Sequence, residues 1–296
     1  MTFFVGVDGG GTSTRAVVLD ADGRELGRAK DRGAVVTSAA PQDAAAAVAG
    51  VVRAALREAG MDGRASVLWA GLAGAGQDPA RAGVTRILEA AGLADLVVVG
   101  TDVEAAFHDA FGAGPGVLLI AGTGSIAWAR GEDGRIRRVG GWGWRLGDEG
   151  SGYAIGMGGL RSVMRAFDGR DVSTSLTYML TTAVGVPGPE ALVQWIETAG
   201  KGEIAALAPR VVEAADAGDG SARRIIDEAV AELVQHVRAA APSEGSSVVL
   251  WGGLAADGGP LESRLREALG EVGYVVSERT LDPVRGAARL AIAALD

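Results

Sequence analysis

The sequence predicts an α/β protein built from two related domains. Three observations carry this. Apolar strands alternate with segments of helical spacing along the 296 residues. Two stretches share the order strand, Gly/Thr/Ser turn, strand, Asp-Gly turn, strand. Turn residues of the first stretch recur 111 positions later, with Thr12 matching Thr123, Asp22 matching Asp133, Gly23 matching Gly134 and Arg24 matching Arg135. Identities at one fixed offset, in turns that demand particular residues, indicate a duplicated unit.

The elements follow in order. Residues 3–8 and 14–20 read as strands around a glycine turn, and Asp20-Ala21-Asp22-Gly23 leads into a third strand, 24–30. Residues 42–60 carry apolar side chains at helical spacing and stop at Gly60, which suits a helix C-terminus. A buried strand, 66–74, a helix, 79–92, with Pro79 in its first turn, and a strand, 96–100, come next. Thr101 or Asp102 then caps a helix running to 111. The second copy spans 116–141, followed by the glycine-dense stretch GGWGWRLGDEGSGYAIG (140–156) and helices to about residue 240. A late strand, 246–255, contains Gly252-Gly253, and a helix, 283–295, opens at Pro283. These readings place one domain at 1–112 plus 283–296 and the other at 113–282.

Composition narrows the function classes. A net charge of −9 opposes nucleic acids and anionic membrane surfaces, so an anionic ligand must be met by backbone N–H groups, helix ends or a metal. The chain has no cysteine and two histidines, which removes disulfides, thiolate nucleophiles, iron–sulfur ligation and a multi-His metal site. No apolar run reaches the roughly 18 residues of a membrane span, and the N-terminus has no basic region or cleavage site; a cytoplasmic protein is expected. Glycine, at 47 residues, is about twice its usual share, which points to tight turns and close backbone approaches.

The first turn is neither a P-loop nor a dinucleotide fingerprint, because position 14 is Thr14 and a strand follows. Exposed amides of Gly10 and Gly11, with the hydroxyls of Thr12 and Ser13, can wrap a phosphate, and Asp8 can hold Mg²⁺ beside it. A tight hairpin with an exposed acid is the alternative reading. Gly122-Thr123-Gly124 repeats the pattern, so two turns can grip one polyphosphate, and Gly252-Gly253 offers bare backbone to a flat ring.

Asp-Gly-Gly-Gly-Thr at the start, Gly-Thr-Gly-Ser in the middle and a late Gly-Gly strand resemble the actin-like ATPase and sugar kinase superfamily. GGWGWRLGDEGSGYAIG with TDVEAAFHDAF resembles, within it, the N-acetylglucosamine kinase and BadF/BadG/BcrA/BcrD ATPase family, in the same order from residue 3 to the last helix. The resemblance implies two ribonuclease H-like (actin-like ATPase) domains with a central cleft that closes on sugar. It implies ATP and Mg²⁺ as cofactors, Asp8 beside the metal, Gly10, Gly11, Thr12 and Ser13 on the β/γ-phosphates, Gly122, Thr123 and Gly124 as the second phosphate motif, and Gly252 and Gly253 at the adenosine. Asp102 matches the catalytic base, and Gly141, Trp142 and Asp148 the sugar-binding positions, with Glu149 beside them.

The chemistry agrees: a sugar hydroxyl attacking the γ-phosphorus sheds a proton, which a carboxylate accepts. A helix N-terminus is expected to keep Asp102 ionised. A tryptophan and two acids amid glycines suit a carbohydrate. His108, Trp144 and Tyr153 read as packing, core or hinge residues. The expected function is phosphorylation of an amino sugar, N-acetylglucosamine or glucosamine, at the 6-hydroxyl, in a possible homodimer. The alternatives are an ATPase activator, whose relatives need cysteines that this chain lacks, and a non-catalytic sugar sensor, normally preceded by a DNA-binding segment. One departure stands out: the family's sugar-reading Asn is missing from loop 32–41, which offers Val36, Thr37 or Ser38 instead.

Overall fold

The computed structural model describes residues 2–295 except 12, 34, 38, 39, 77, 242 and 244. The chain divides into two compact units, Met1–Ala113 with Thr280–Asp296, and Gly114–Arg279.

The first unit contains β1 (Phe3–Gly9), β2 (Ser13–Asp20), β3 (Glu25–Arg32), α1 (Pro41–Glu58), β4 (Ala65–Leu72), α2 (Asp78–Ala90), β5 (Ala94–Gly100) and α3 (Asp102–Phe111), and it receives the C-terminal helix Pro283–Ala293. Its sheet is ordered β3-β2-β1-β4-β5, antiparallel from β1 to β3 and parallel across β1, β4 and β5. Alternation along β1 sends Phe3, Val5 and Val7 into a core with α1 and α2, while Phe4 joins Trp69, Ala105, Ala287 and Ala291 on the opposite face. That second face is held close. A Cβ on Gly6 would lie 2.2 Å from the backbone nitrogen of Ala288, so the C-terminal helix crosses the sheet directly over the glycine. Gly60 takes φ 64° just past α1, and the Met61 amide donates back to the Leu56 carbonyl (3.0 Å), which closes the helix end.

The second unit contains β6 (Gly116–Ala121), β7 (Ser125–Arg130), β8 (Ile136–Gly140), α4 (Gly152–Phe167), α5 (Leu176–Val184), α6 (Ala191–Thr198), α7 (Lys201–Ala205), α8 (Ala208–Asp216), α9 (Gly220–Ala240), β9 (Ser247–Trp251), α10 (Glu262–Glu271) and β10 (Val275–Val276). The Pro283–Ala293 helix is then α11. The sheet order β8-β7-β6-β9-β10 repeats that of the first unit, with β6, β7 and β8 antiparallel and β6, β9 and β10 parallel. Its core joins β6, β7 and β9 to α4, α5, α8, α9 and α10. The sequence reading missed α10 and β10, which follow the Gly252-Gly253 turn.

Two sequence expectations are corrected here. Val36, 4% exposed, belongs to the first unit's core and has no surface to offer a sugar; Thr37 is exposed, its hydroxyl accepting from the Ala40 amide, and Ser38 lies outside the described residues. Of the core and hinge readings of Trp144, the core one falls: it is 43% exposed and rests against Tyr153 at 5.3 Å between ring centroids. Among the described residues no helix is long and apolar enough to cross a membrane.

Candidate active site

In the first unit the parallel strands end together. Asp8, Gly71 and Gly100 are in register across β1, β4 and β5, at the carboxyl edge where open α/β sheets place their ligands. Asp8 is buried, and Arg15, its partner across β2, closes an ion pair of 2.6 Å. Burial raises the carboxyl of Asp8 above its ordinary value, more than Arg15 lowers it. The adjoining turn closes through the Gly10 amide on the Ser13 carbonyl (3.0 Å), while the Gly11 amide makes no hydrogen bond among the described residues. Thr12, assigned to the phosphates from the sequence, lies outside the described residues.

Asp102 is the first residue of α3, not its cap. Thr101 is the cap: its hydroxyl accepts from the Glu104 amide (3.2 Å), and Glu104 Oε2 accepts from the Thr101 amide (2.6 Å) and hydroxyl (3.0 Å). This reciprocal box uses up Glu104 and leaves Asp102 with backbone amides, its own and that of Val103 at 3.1 Å. The helix-end amides lower the carboxyl of Asp102, as expected, but they are outweighed. Burial raises its carboxyl, the charge of Asp8 adds to that, and the amide contacts only reduce it. Two neighbouring carboxylates, one already paired, form a site where a proton acceptor and a cation can coexist.

The donor set bears on the metal. Among the described residues no group of three His, Cys, Asp or Glu can hold an ion. Mg²⁺, however, commonly takes one or two carboxylates and completes its shell with water and substrate phosphates. Asp8 fits a cation that arrives with a polyphosphate, and does not fit a permanently resident one.

In the second unit three glycine-bearing segments converge at the ends of β6 and β9. The Gly122 amide closes its turn on the Gly124 carbonyl (2.9 Å), and the amides of Thr123 and Gly124 make no hydrogen bond among the described residues. The Leu254 amide donates to the Ala121 carbonyl (3.0 Å), which brings the Gly252-Gly253 turn beside the first; a Cβ on Gly122 would lie 3.6 Å from the Gly253 nitrogen. The 140–150 loop is tied to the same turn. The Gly152 amide donates to the Gly122 carbonyl (2.8 Å), the Gly141 amide to the Ser125 carbonyl (2.9 Å), and the Ser125 hydroxyl to the Glu149 carbonyl (2.7 Å).

Asp148 lies beneath this turn at φ 63°, in the left-handed region and 3% exposed. Its Oδ1 accepts from the Ser125 amide (3.3 Å) and its Oδ2 pairs with the Lys201 ammonium (2.6 Å). A side chain at position 124 would put its Cβ 2.9 Å from that carboxylate, so the glycine leaves room for Asp148. Glu149, by contrast, is 45% exposed, with Oε2 3.8 Å from His236 Nε2. Trp142 is 65% exposed and carries the Arg138 guanidinium 4.9 Å above its ring; Arg145 covers Trp144 in the same way at 4.8 Å.

The structure thus brings Gly122, Thr123, Gly124, Gly252 and Gly253 together, with Asp148, and puts Gly141, Trp142 and Glu149 on the adjoining loop. Asp8, Gly10, Gly11, Ser13 and Asp102 belong to the first unit. Arg15, Lys201 and His236 were missed as site residues. A period-2 pairing of strands across the Gly10–Thr12 turn would have found Arg15 opposite Asp8; no local signal points to Lys201 or His236.

Residues 5–291 match the BadF/BadG/BcrA/BcrD ATPase family. The chain is 30% identical over 242 residues to the N-acetylmuramic acid/N-acetylglucosamine kinase of Clostridium acetobutylicum, covering 81% of this chain and 79% of that one. It is 30% identical over 313 residues to the N-acetyl-D-glucosamine kinase of Dictyostelium discoideum, covering 98% and 97%. A crystal structure of a provisionally named N-acetylglucosamine kinase from Chromobacterium violaceum superimposes with a TM-score of 0.82 at 30% identity, over 98% of this chain and 99% of that one. With these relatives and the repeated five-stranded sheet of an actin-like ATPase, the chain belongs to the BadF/BadG/BcrA/BcrD ATPase family.

Proposed function

We propose that the protein transfers the γ-phosphoryl group of ATP to an amino sugar, N-acetylglucosamine or glucosamine, at the 6-hydroxyl. The observation that carries this reading is the free carboxylate of Asp102. The Thr101–Glu104 box performs the capping, so Asp102 is spared for chemistry at the carboxyl edge of the sheet, next to Asp8. The family and the names of the relatives support the same reaction class.

Asp102 takes the proton of the attacking hydroxyl as its oxygen bonds to the γ-phosphorus and the bond to the ADP oxygen breaks. A raised carboxyl suits this role, since a base whose pKa lies nearer the working pH takes the proton from the hydroxyl oxygen more readily. Asp8 would hold Mg²⁺, which supplies charge neutralisation for the phosphates. The Gly10–Ser13 turn and, in the other unit, the Gly122–Gly124 turn would each offer backbone donors to phosphate, and the bare Gly252-Gly253 segment would take the adenosine. Gly141, Trp142 and Glu149 would read the sugar, with an apolar ring face beside a hydroxyl acceptor. Asp148 joins them through whatever acceptor capacity Ser125 and Lys201 leave.

The test is ADP release and ³¹P detection of a sugar 6-phosphate over a panel of hexoses and hexosamines with ATP and Mg²⁺. Product is expected with amino sugars, and not with Asp102→Asn. Turnover of ATP that ignores every sugar would refute the proposal.

A further inference from the structure

His236 is a buried titratable residue for which the chemistry above has no use. It lies on α9, is 6% exposed, and its ring has one defined partner on each side. Nδ1 is 2.7 Å from the carbonyl oxygen of Glu232, one turn back on the same helix. A carbonyl only accepts, so Nδ1 carries the proton of that bond. Nε2 is therefore the ring atom left to meet anything else, and it faces Glu149 Oε2 at 3.8 Å.

The packing around the ring is specific to this orientation. Gly140, with φ 73°, ends β8 against it; a Cβ there would lie 2.4 Å from Nε2 and would push the ring off its line to Glu149. Arg138 on β8, next to Gly140, is engaged elsewhere. Its Nε donates to the Gly140 carbonyl (3.3 Å), it donates also to the Gly141 carbonyl, and it stacks on Trp142. Glu149 has no other side-chain partner among the described residues, and its carboxylate is half open to solvent. One face of that carboxylate meets a fixed ring nitrogen; the other is free for a ligand.

We propose that His236 is a positioning residue for sugar recognition: with Nδ1 tied to Glu232, its Nε2 orients the Glu149 carboxylate beside Trp142 to accept sugar hydroxyls. At 3.8 Å the contact is an ion pair and not a hydrogen bond: with Nδ1 protonated toward Glu232, the ring attracts the carboxylate when Nε2 carries a proton as well. The inference rests on the amino-sugar kinase reading and adds to it a residue that touches neither sugar nor nucleotide.

The two amide isosteres of histidine separate this role from a structural one. Asn at 236 can copy Nδ1 and its bond to Glu232 but not Nε2; Gln copies Nε2 but not Nδ1. If the ring serves Glu149, His236→Asn raises the KM for the sugar about tenfold with kcat little changed, and His236→Gln retains most of the affinity. If the ring serves only the helix, the order is reversed. In a Glu149→Gln background the effect of His236→Asn should fall below about twofold, because the group it positions has lost its charge. Calorimetric titration of the sugar onto the folded variants, checked by circular dichroism, gives the same comparison without turnover. The reversed order, or equal losses in both backgrounds, would overturn the inference while wild-type activity on amino sugars stands. A wild type that neither binds nor phosphorylates any amino sugar would instead remove the kinase reading, and the inference with it.

Discussion

Replacing Lys201 by methionine tests how the second glycine turn is supported. Asp148 keeps a side chain only 5% exposed, and its Oδ2 depends on the Lys201 ammonium at 2.6 Å. Without it the carboxylate retains one longer contact, 3.3 Å from the Ser125 amide. Removing one partner of a fully buried pair costs about 3–5 kcal/mol. Lys201 is itself 31% exposed, so water can enter where the ammonium was, and about 2–3 kcal/mol is the appropriate figure. For a unit the size of Gly114–Arg279 that is roughly 4–12 °C in melting temperature, measured by scanning calorimetry. The loss should be reversed by neutralising the stranded charge. Asp148→Asn in the Lys201→Met background should restore most of the stability, since asparagine is at ease at φ 63°. A Lys201→Met protein melting within about 2 °C of wild type would refute the argument. A double variant as unstable as the single one would do the same.

Other consequences follow from the same geometry. Asp102→Asn should reduce kcat by about 10²- to 10⁴-fold in the coupled ADP assay. It should also stabilise the protein at neutral pH. A carboxyl raised above 3.8 in the folded chain contributes stability that is present below 3.8 and lost as pH rises through the folded value, so wild type carries a penalty at about pH 8 that the variant lacks. Melting curves should show the difference narrowing toward about pH 4; an unchanged difference would contradict the assigned burial effect. Gly124→Ala brings a Cβ to 2.9 Å from Asp148 Oδ1 and should raise the KM for ATP about tenfold, with the sugar KM less affected, as initial-rate titrations would reveal. Gly6→Ala places a methyl 2.2 Å from the Ala288 nitrogen, where helix backbone cannot yield, and should cost about 3 kcal/mol or more in denaturant unfolding.

The strands, the glycine turns and the repeat were legible because each depends on local chemistry. Asp-Gly and Gly-Thr-Gly turns, two-residue alternation and Gly60 at a helix end all act within a few positions, and β1–β3 and β6–β8 follow them. The supports of the site were not legible, because their partners are distant in sequence. Lys201 reaches Asp148 across 53 positions, from the start of a helix whose own sequence carries no sign of it. His236 lies in a long amphipathic helix, where one turn of helix explains Nδ1 and only the fold explains Nε2. Val36 was misassigned for the opposite reason: an exposed-looking loop passes through the core, with the Val36 amide donating to the Ala73 carbonyl (2.8 Å).

Asp148 and Glu149 make the physical point most directly. By composition they are one acidic pair in a glycine loop, and nothing in their side chains distinguishes an inner from an outer member. The backbone separates them. At φ 63° Asp148 turns inward, to Ser125 and Lys201, while Glu149 emerges beside His236 with nearly half its side chain in solvent. The first acid thereby braces the turn that would receive phosphate, and the second remains available to a hydroxyl. Such a division requires the left-handed conformation at position 148, which aspartate and asparagine adopt with less strain than most side chains. It also requires a cation under the turn, because an unpaired buried carboxylate there would oppose the nucleotide as well as the fold. The glycine-dense loop therefore sets a path for the chain that separates two like charges into a buried brace and an exposed carboxylate.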